Sequence, residues 1–167
     1  YGMTETTAVI PVPDRRLGTP SGTVGLLGPG TQARIVDPAD GRDLGPGEQG
    51  ELWVRGPQTT PGYLGDPAAD ADLFGPDGWL RTGDLARFDG THLTIVDRLK
   101  DIIIRGGENI SAQEVEALLV THPRITEAAC VAAPDPIMGE EVCAFVIVVG
   151  DDVPTLEDLR SHLVAQG

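Results

Sequence analysis

The apolar positions change rhythm partway along the chain. Up to Asp89 they come in short runs, interrupted by most of the 22 glycines and 14 prolines, a pattern of brief strands joined by turns. Ala33-Arg34-Ile35-Val36 predicts a strand. Asp37-Pro38-Ala39-Asp40-Gly41 predicts a turn, with Asp-Gly as its strongest signal. Gly45-Pro46-Gly47 predicts another. Glu51-Leu52-Trp53-Val54-Arg55 alternates polar and apolar, as a half-buried strand does. Residues 67–73 predict one or two helical turns, with Pro67 near the start. Phe88-Asp89-Gly90-Thr91 predicts a hairpin turn into Leu93-Thr94-Ile95-Val96.

From Asp101 onward the pattern alternates between strand and helix. Asp101-Ile102-Ile103-Ile104-Arg105 predicts a short apolar strand ended by Gly106-Gly107. Ser111-Ala112-Gln113-Glu114 fits a capping box, in which Ser111 caps the helix start and Glu114 reaches back. The helix that follows carries Val115, Leu118 and Leu119 on one face and ends at His122-Pro123. Residues 125–133 and 141–149 predict two strands. Thr155 caps a last helix with Leu156, Leu159 and Leu163 as its stripe. The order after Lys100 is strand, helix, strand, strand, helix. The fold class is α+β. A domain boundary falls near Asp97 to Lys100.

Composition narrows the function. The net charge is −14 and the pI about 4.3, which argues against nucleic-acid binding, since a phosphate backbone needs clustered Lys and Arg. The same charge argues against docking on an anionic membrane. No apolar run approaches the roughly 20 residues of a spanning helix. Cys130 and Cys143 both sit in apolar stretches and read as buried structural thiols, with no metal-ligand spacing. The histidines (His92, His122 and His162) lie far apart in sequence and read as structural or surface residues. Lys100 stands out because it is the sole lysine among twelve basic residues. A cytoplasmic location is the default, and composition leaves open whether the chain forms a homo-oligomer.

Four ordered motifs carry a resemblance. They are Tyr1-Gly2-Met3-Thr4-Glu5-Thr6; Gly50-Glu51-Leu52-Trp53-Val54-Arg55-Gly56 with Gly62-Tyr63; Gly78-Trp79-Leu80-Arg81-Thr82-Gly83-Asp84; and Asp97-Arg98-Leu99-Lys100-Asp101 running into Gly106-Gly107-Glu108-Asn109-Ile110. Together they resemble the acyl-activating, or adenylate-forming, superfamily, within it most closely the acyl-CoA synthetases for fatty, alicyclic or aryl acids. The resemblance implies ATP, Mg²⁺ and coenzyme A as cofactors, and a small carboxylic acid as substrate. The acid is activated to an acyl-adenylate and then passed to the coenzyme A thiol.

The resemblance further implies that residues 1–98 are the β-rich tail of a larger domain and 99–167 a truncated small α/β domain. It also implies roles. Tyr1 stacks on adenine, Gly2 lets the backbone pass close to the nucleotide, Thr4 contacts the α-phosphate, and Glu5 holds Mg²⁺, a hard cation suited to oxygen. Asp84 accepts from the ribose hydroxyls. Arg98 contacts the ribose or phosphate region; read alone, it is a surface arginine paired with Asp97 or Asp101. Lys100 is a hinge, and Gly106 and Gly107 lie on the coenzyme A side. Glu51 reads as a salt-bridge partner and Trp53 as core, without chemistry. The family's phosphate loop would precede Tyr1, and its adenylation lysine would follow Gly167. Residues 1–167 alone are therefore expected to be inactive. Two other readings stand beside the ligase: an adenylation domain that loads a carrier protein, and a degenerate, non-catalytic binding module.

Overall fold

A computed structural model describes residues 1–16, 18–150 and 152–166. The chain divides into two compact units, Tyr1–Leu99 and Lys100–Gly167. The class is α+β, as the sequence predicts.

The first unit is built on a six-stranded antiparallel sheet in the order β1-β2-β6-β5-β4-β3. Its strands are β1 (Pro11–Val12), β2 (Gly25–Leu27), β3 (Gln32–Val36), β4 (Gly50–Arg55), β5 (Leu80–Asp89) and β6 (His92–Arg98). Helix α1 (Pro67–Leu73) starts where Asp66 Oδ1 accepts from the Ala69 amide at 3.0 Å, with Pro67 in the first turn. Ile10, Ile35, Leu52, Val54, Leu80 and Leu93 form the core, joined by Leu73 of α1. Leu52 and Val54 share one face of β4, as the two-residue period requires.

The prediction of a half-buried β4 is wrong: Gly50 to Val54 are all buried. The second face is covered by aromatic and cationic side chains. The Arg34 and Arg81 guanidinium carbons lie 4.7 and 5.1 Å from the Trp53 ring centroid. Gly75 packs so closely on that indole that a Cβ there would fall 2.5 Å from it.

The second unit has a four-stranded antiparallel sheet, β8-β7-β10-β9, made of β7 (Ile102–Arg105), β8 (Glu108–Ser111), β9 (Ile125–Asp135) and β10 (Gly139–Val148), with α2 (Ala112–Val120) and α3 (Leu156–Gln166). Strand β8 adds to the predicted order. Gly106 and Gly107 do not merely end β7. They form a two-residue turn with Arg105 opposite Glu108, and φ of 61° and 88°. Both values are positive, as the favoured hairpin turn requires. Ser111 Oγ accepts from the Glu114 amide at 3.0 Å, capping α2. Thr155 and Asp158 cap α3 reciprocally, each side chain accepting from the other's amide.

Ile103, Ala112, Leu119, Ile125 and Cys130 form this core, with Leu159 and Leu163 packed against it. Burial pushes the Cys130 thiol up to about 11. Leu156, expected in the same stripe, is 64% exposed. It opens the helix, and Leu159 and Leu163, four residues apart, suffice to form the contact face. The opposite face of the sheet carries Ile104, Val131, Phe145 and Ile147, each at least half exposed. His122 and His162, distant in sequence, meet edge to face at 4.9 Å. No helix among the described residues is long and apolar enough to cross a membrane.

Candidate active site

Tyr1 leads into a 3₁₀ turn, Thr4–Thr6. Thr6 is fully buried and locks the turn: its hydroxyl donates to the Met3 carbonyl at 3.0 Å and accepts from the Met3 amide at 3.2 Å. Thr4 is exposed and Glu5 half-buried. Gly2 has a reason within the chain to be glycine, because a Cβ there would fall 2.0 Å from the Ala8 carbonyl oxygen. Thr7 and Ala8 follow with φ of 52° and 66°, a left-handed pair that stores strain beside the turn.

Asp84 is positioned by a bulge. Between Glu51 and Trp53 the β4 partner advances two residues, while β5 runs from Leu85 to Arg81. Thr82, Gly83 and Asp84 are thereby thrown out of regular pairing with β4, which re-aims their side chains. Gly83 takes a φ of 70°. The Gly83 amide donates to Glu51 Oε1 at 3.1 Å, and Trp53 Nε1 donates to Glu51 Oε2 at 2.7 Å. Glu51 is thus held by hydrogen bonds and frames the bulge, where the sequence suggested an ion pair. Thr82 Oγ1 donates to the Leu52 carbonyl at 2.8 Å and accepts from the Asp84 amide at 3.1 Å.

Three of the expected residues meet at Asp84. The Tyr1 hydroxyl donates to Asp84 Oδ2. Arg98, directly opposite Asp84 in the β5–β6 register, brings Nε to 3.2 Å from Oδ1. The ion pair of Arg98 is therefore with Asp84. Asp97 instead accepts from the Arg98 amide at 2.7 Å. Asp84 is 5% exposed, whereas the Arg98 side chain is 60% exposed. Burial, with the bond to Asp84, pushes the Tyr1 phenol well above its ordinary value, so it stays a donor.

Glu5 has a partner to which the sequence assigned no role. The Tyr63 hydroxyl donates to Glu5 Oε1, and that bond raises the Tyr63 pKa. The Thr60 amide donates to the Glu5 carbonyl at 2.7 Å. Glu5, Tyr63, Arg81, Thr82 and Gly83 line one shallow cleft of about 410 Å³. The signal for Tyr63 was present in the chain, which holds only two tyrosines, both within the motifs.

Lys100 is exposed, in a 3₁₀ turn, Leu99–Asp101, at the start of the second unit. Gly106 and Gly107 lie in the β7–β8 turn. The Gly106 amide donates to the Met138 carbonyl at 2.8 Å, and a Cβ on Gly106 would fall 2.4 Å from the Met138 methyl.

Two family models match the chain: "AMP-binding enzyme" over residues 1–64, and "AMP-binding enzyme C-terminal domain" over residues 114–166. A "4-coumarate--CoA ligase-like 6" of Arabidopsis thaliana is 44% identical over 99% of this chain and 30% of that protein. A "Salicyl-AMP ligase / salicyl-S-ArCP synthetase" of Mycobacterium tuberculosis is 44% identical over 84% of this chain and 25% of that protein. Among solved structures, ATP-bound MatB from Rhodopseudomonas palustris superposes with a TM-score of 0.89 at 33% identity, over 99% of this chain and 33% of that one. The fold is that of the C-terminal part of adenylate-forming enzymes. The chain spans between a quarter and a third of the length of these relatives. It belongs to the acyl-activating superfamily.

Proposed function

We propose that this chain is the C-terminal part of an acid–thiol ligase that uses ATP to convert a carboxylic acid to its acyl-adenylate and then passes the acyl group to coenzyme A. The observation that carries this reading is the convergence of Tyr1, Arg98 and the bulged Asp84, three motif residues from separate parts of the sequence. Asp84 is buried and its carboxylate is held from both sides, so it meets a ligand without first having to be ordered. A carboxylate has about four acceptor sites. Tyr1 and Arg98 engage one oxygen each, which leaves lone pairs for the two vicinal hydroxyls of a ribose. The Tyr1 ring offers a face to the adenine. Exposed Thr4 is free to donate to the α-phosphate.

Glu5 fits a Mg²⁺ ion that travels with the nucleotide. No cluster of three His, Cys, Asp or Glu side chains that could cage a metal occurs among the described residues, whereas Mg²⁺ on a nucleotide is held by one or two carboxylates together with phosphate oxygens. When bound, the ion offsets phosphate charge as the carboxylate substrate approaches. We assign residues 1–98 to the large AMP-binding domain and 99–167 to the small mobile domain, with Lys100 as the pivot and the Gly106–Gly107 turn on the thiol side. The names of the relatives support an aryl acid within the broader set of fatty, alicyclic and aryl acids.

The test uses the full-length protein with ATP, Mg²⁺, coenzyme A and a panel of carboxylic acids, with products read by mass spectrometry. An acyl-CoA product is expected. Acyl-adenylate without thioester would move the reading to a carrier-protein acceptor, which the salicyl-S-ArCP relative favours. In the same assay Asp84→Asn should raise KM for ATP by about 10- to 100-fold, the loss expected for hydrogen bonds to a charged group. The variant should also respond less than the parent when 2′-deoxy-ATP replaces ATP. An unchanged KM would remove Asp84 from the nucleotide site.

A further inference from the structure

Both tyrosines of the chain donate a phenolic proton to a carboxylate that the proposed function puts to use, Tyr1 to Asp84 and Tyr63 to Glu5. In the first pair Asp84 is buried and Tyr1 half-buried. The second is not explained by packing, because Tyr63 is 43% exposed. Its geometry is nevertheless fixed. The Tyr63 amide donates to Asp70 Oδ1 at 2.7 Å, and Asp70 belongs to α1, whose first turn is pinned by Asp66. The loop between β4 and α1 is strapped to the Thr4–Thr6 turn at two further points. The Thr60 amide reaches the Glu5 carbonyl, and the Thr7 hydroxyl reaches the Gln58 carbonyl at 3.0 Å. Both of those bonds end on a backbone carbonyl. The phenol alone of the three ends on a side chain, the Glu5 carboxylate.

An unrestrained glutamate side chain loses rotamer freedom when it binds a cation, and that loss weakens binding. A hydrogen-bonded carboxylate has already lost it. We propose that Tyr63 is a positioning residue for the divalent cation. Its hydroxyl fixes the Glu5 carboxylate through Oε1 and leaves Oε2 to a metal ion bound with the nucleotide phosphates. The inference rests on the proposed role of Glu5 as a metal ligand. In this assignment the phenol acts on the cation only through its bond to Glu5.

The test measures Mn²⁺ affinity by the electron paramagnetic resonance of the free ion, in the full-length protein with a non-hydrolysable ATP analogue. Four forms are compared: the parent, Tyr63→Phe, Glu5→Gln and the double variant. Tyr63→Phe should weaken Mn²⁺ binding roughly tenfold, the low end for loss of a partner behind a metal ligand. Glu5→Gln should weaken it further, and the double variant should match Glu5→Gln, because the two residues act as one unit. The thermal midpoint of Tyr63→Phe should stay near that of the parent, as phenylalanine keeps the ring and only an exposed hydrogen bond is lost. Parent-like Mn²⁺ affinity in Tyr63→Phe alongside a weakened Glu5→Gln would overturn the positioning role while leaving the metal ligand intact. Independent, additive losses would also overturn it. Parent-like affinity in Glu5→Gln would overturn the metal assignment, and the positioning role with it.

Discussion

The two units use antiparallel sheet in opposite ways. In the first, β4 is buried on both faces along nearly its whole length, and the sheet encloses carboxylates: Asp14, Glu51, Asp84 and Asp97 are all buried. In the second, the sheet packs helices on one face and leaves Ile104, Val131, Phe145 and Ile147 half exposed or more on the other. His122 is the one buried polar side chain there among the described residues. A buried carboxylate costs free energy unless donors surround it. The first unit supplies them from a bulge, an indole, a phenol and an arginine. Such charged groups require a sheet covered on both sides, whereas a hairpin that presents only backbone, such as the Gly106–Gly107 turn, can stand on a one-sided sheet.

The sharpest way to break this comparison is to empty each face in turn. Leu52→Ala removes a fully buried side chain and should destabilise the first unit by about 2–5 kcal/mol. Phe145→Ser on the open face should change the second unit by no more than about 0.5 kcal/mol. Hydrogen exchange during denaturant unfolding reads the units separately. A large loss at Phe145 would mean that this face is not open.

A smaller contrast lies in the turns. Gly106 and Gly90 both have φ above 60°. A side chain at Gly90 meets open space, whereas one at Gly106 strikes the Met138 methyl. Gly90→Ala should cost about 1–2 kcal/mol through backbone strain alone. Gly106→Ala should cost more, with the excess removed by shortening Met138 to alanine in the same chain.

The smallest effect is a pH dependence in the second unit. Amides of Met138 and Ile137 hold the Asp135 carboxyl below its ordinary value, and the Thr155 amide and hydroxyl do the same for Asp158. A folded-state pKa below the unfolded one gives stability that is present above about pH 4 and fades as pH falls through the folded value. Protection factors of the Ile137, Met138 and Thr155 amides, with the intrinsic pH dependence of exchange divided out, should therefore fall on acidification, and Asp135→Asn should abolish the response at the first two.

Local signals in the sequence reached as far as their own physics. Turn chemistry at Asp89-Gly90, the Ser111 and Thr155 caps and the apolar strands all appear where the pattern puts them. Strand β8 was not legible because Glu108-Asn109-Ile110-Ser111 has no alternation, although the two glycines before it already specified a hairpin. The alternation of β4 predicted one wet face, and its cover came from Arg34, Arg81 and Gly75, none of them local. The site divided in the same way. The family resemblance of the motifs assigned expected roles to Tyr1, Glu5, Asp84 and Arg98, but it could not show that Asp84 is aimed by a bulge or that Tyr63 answers Glu5, 58 positions away.

The tyrosine economy of this chain gives it a built-in reporter. With both phenols seated on the two carboxylates, biosynthetic replacement by 3-fluorotyrosine places exactly one fluorine label at each, and a ¹⁹F spectrum of residues 1–167 carries one resonance per carboxylate and no other. Under the proposed roles, a nucleotide at Asp84 and a cation at Glu5 would each shift a different resonance.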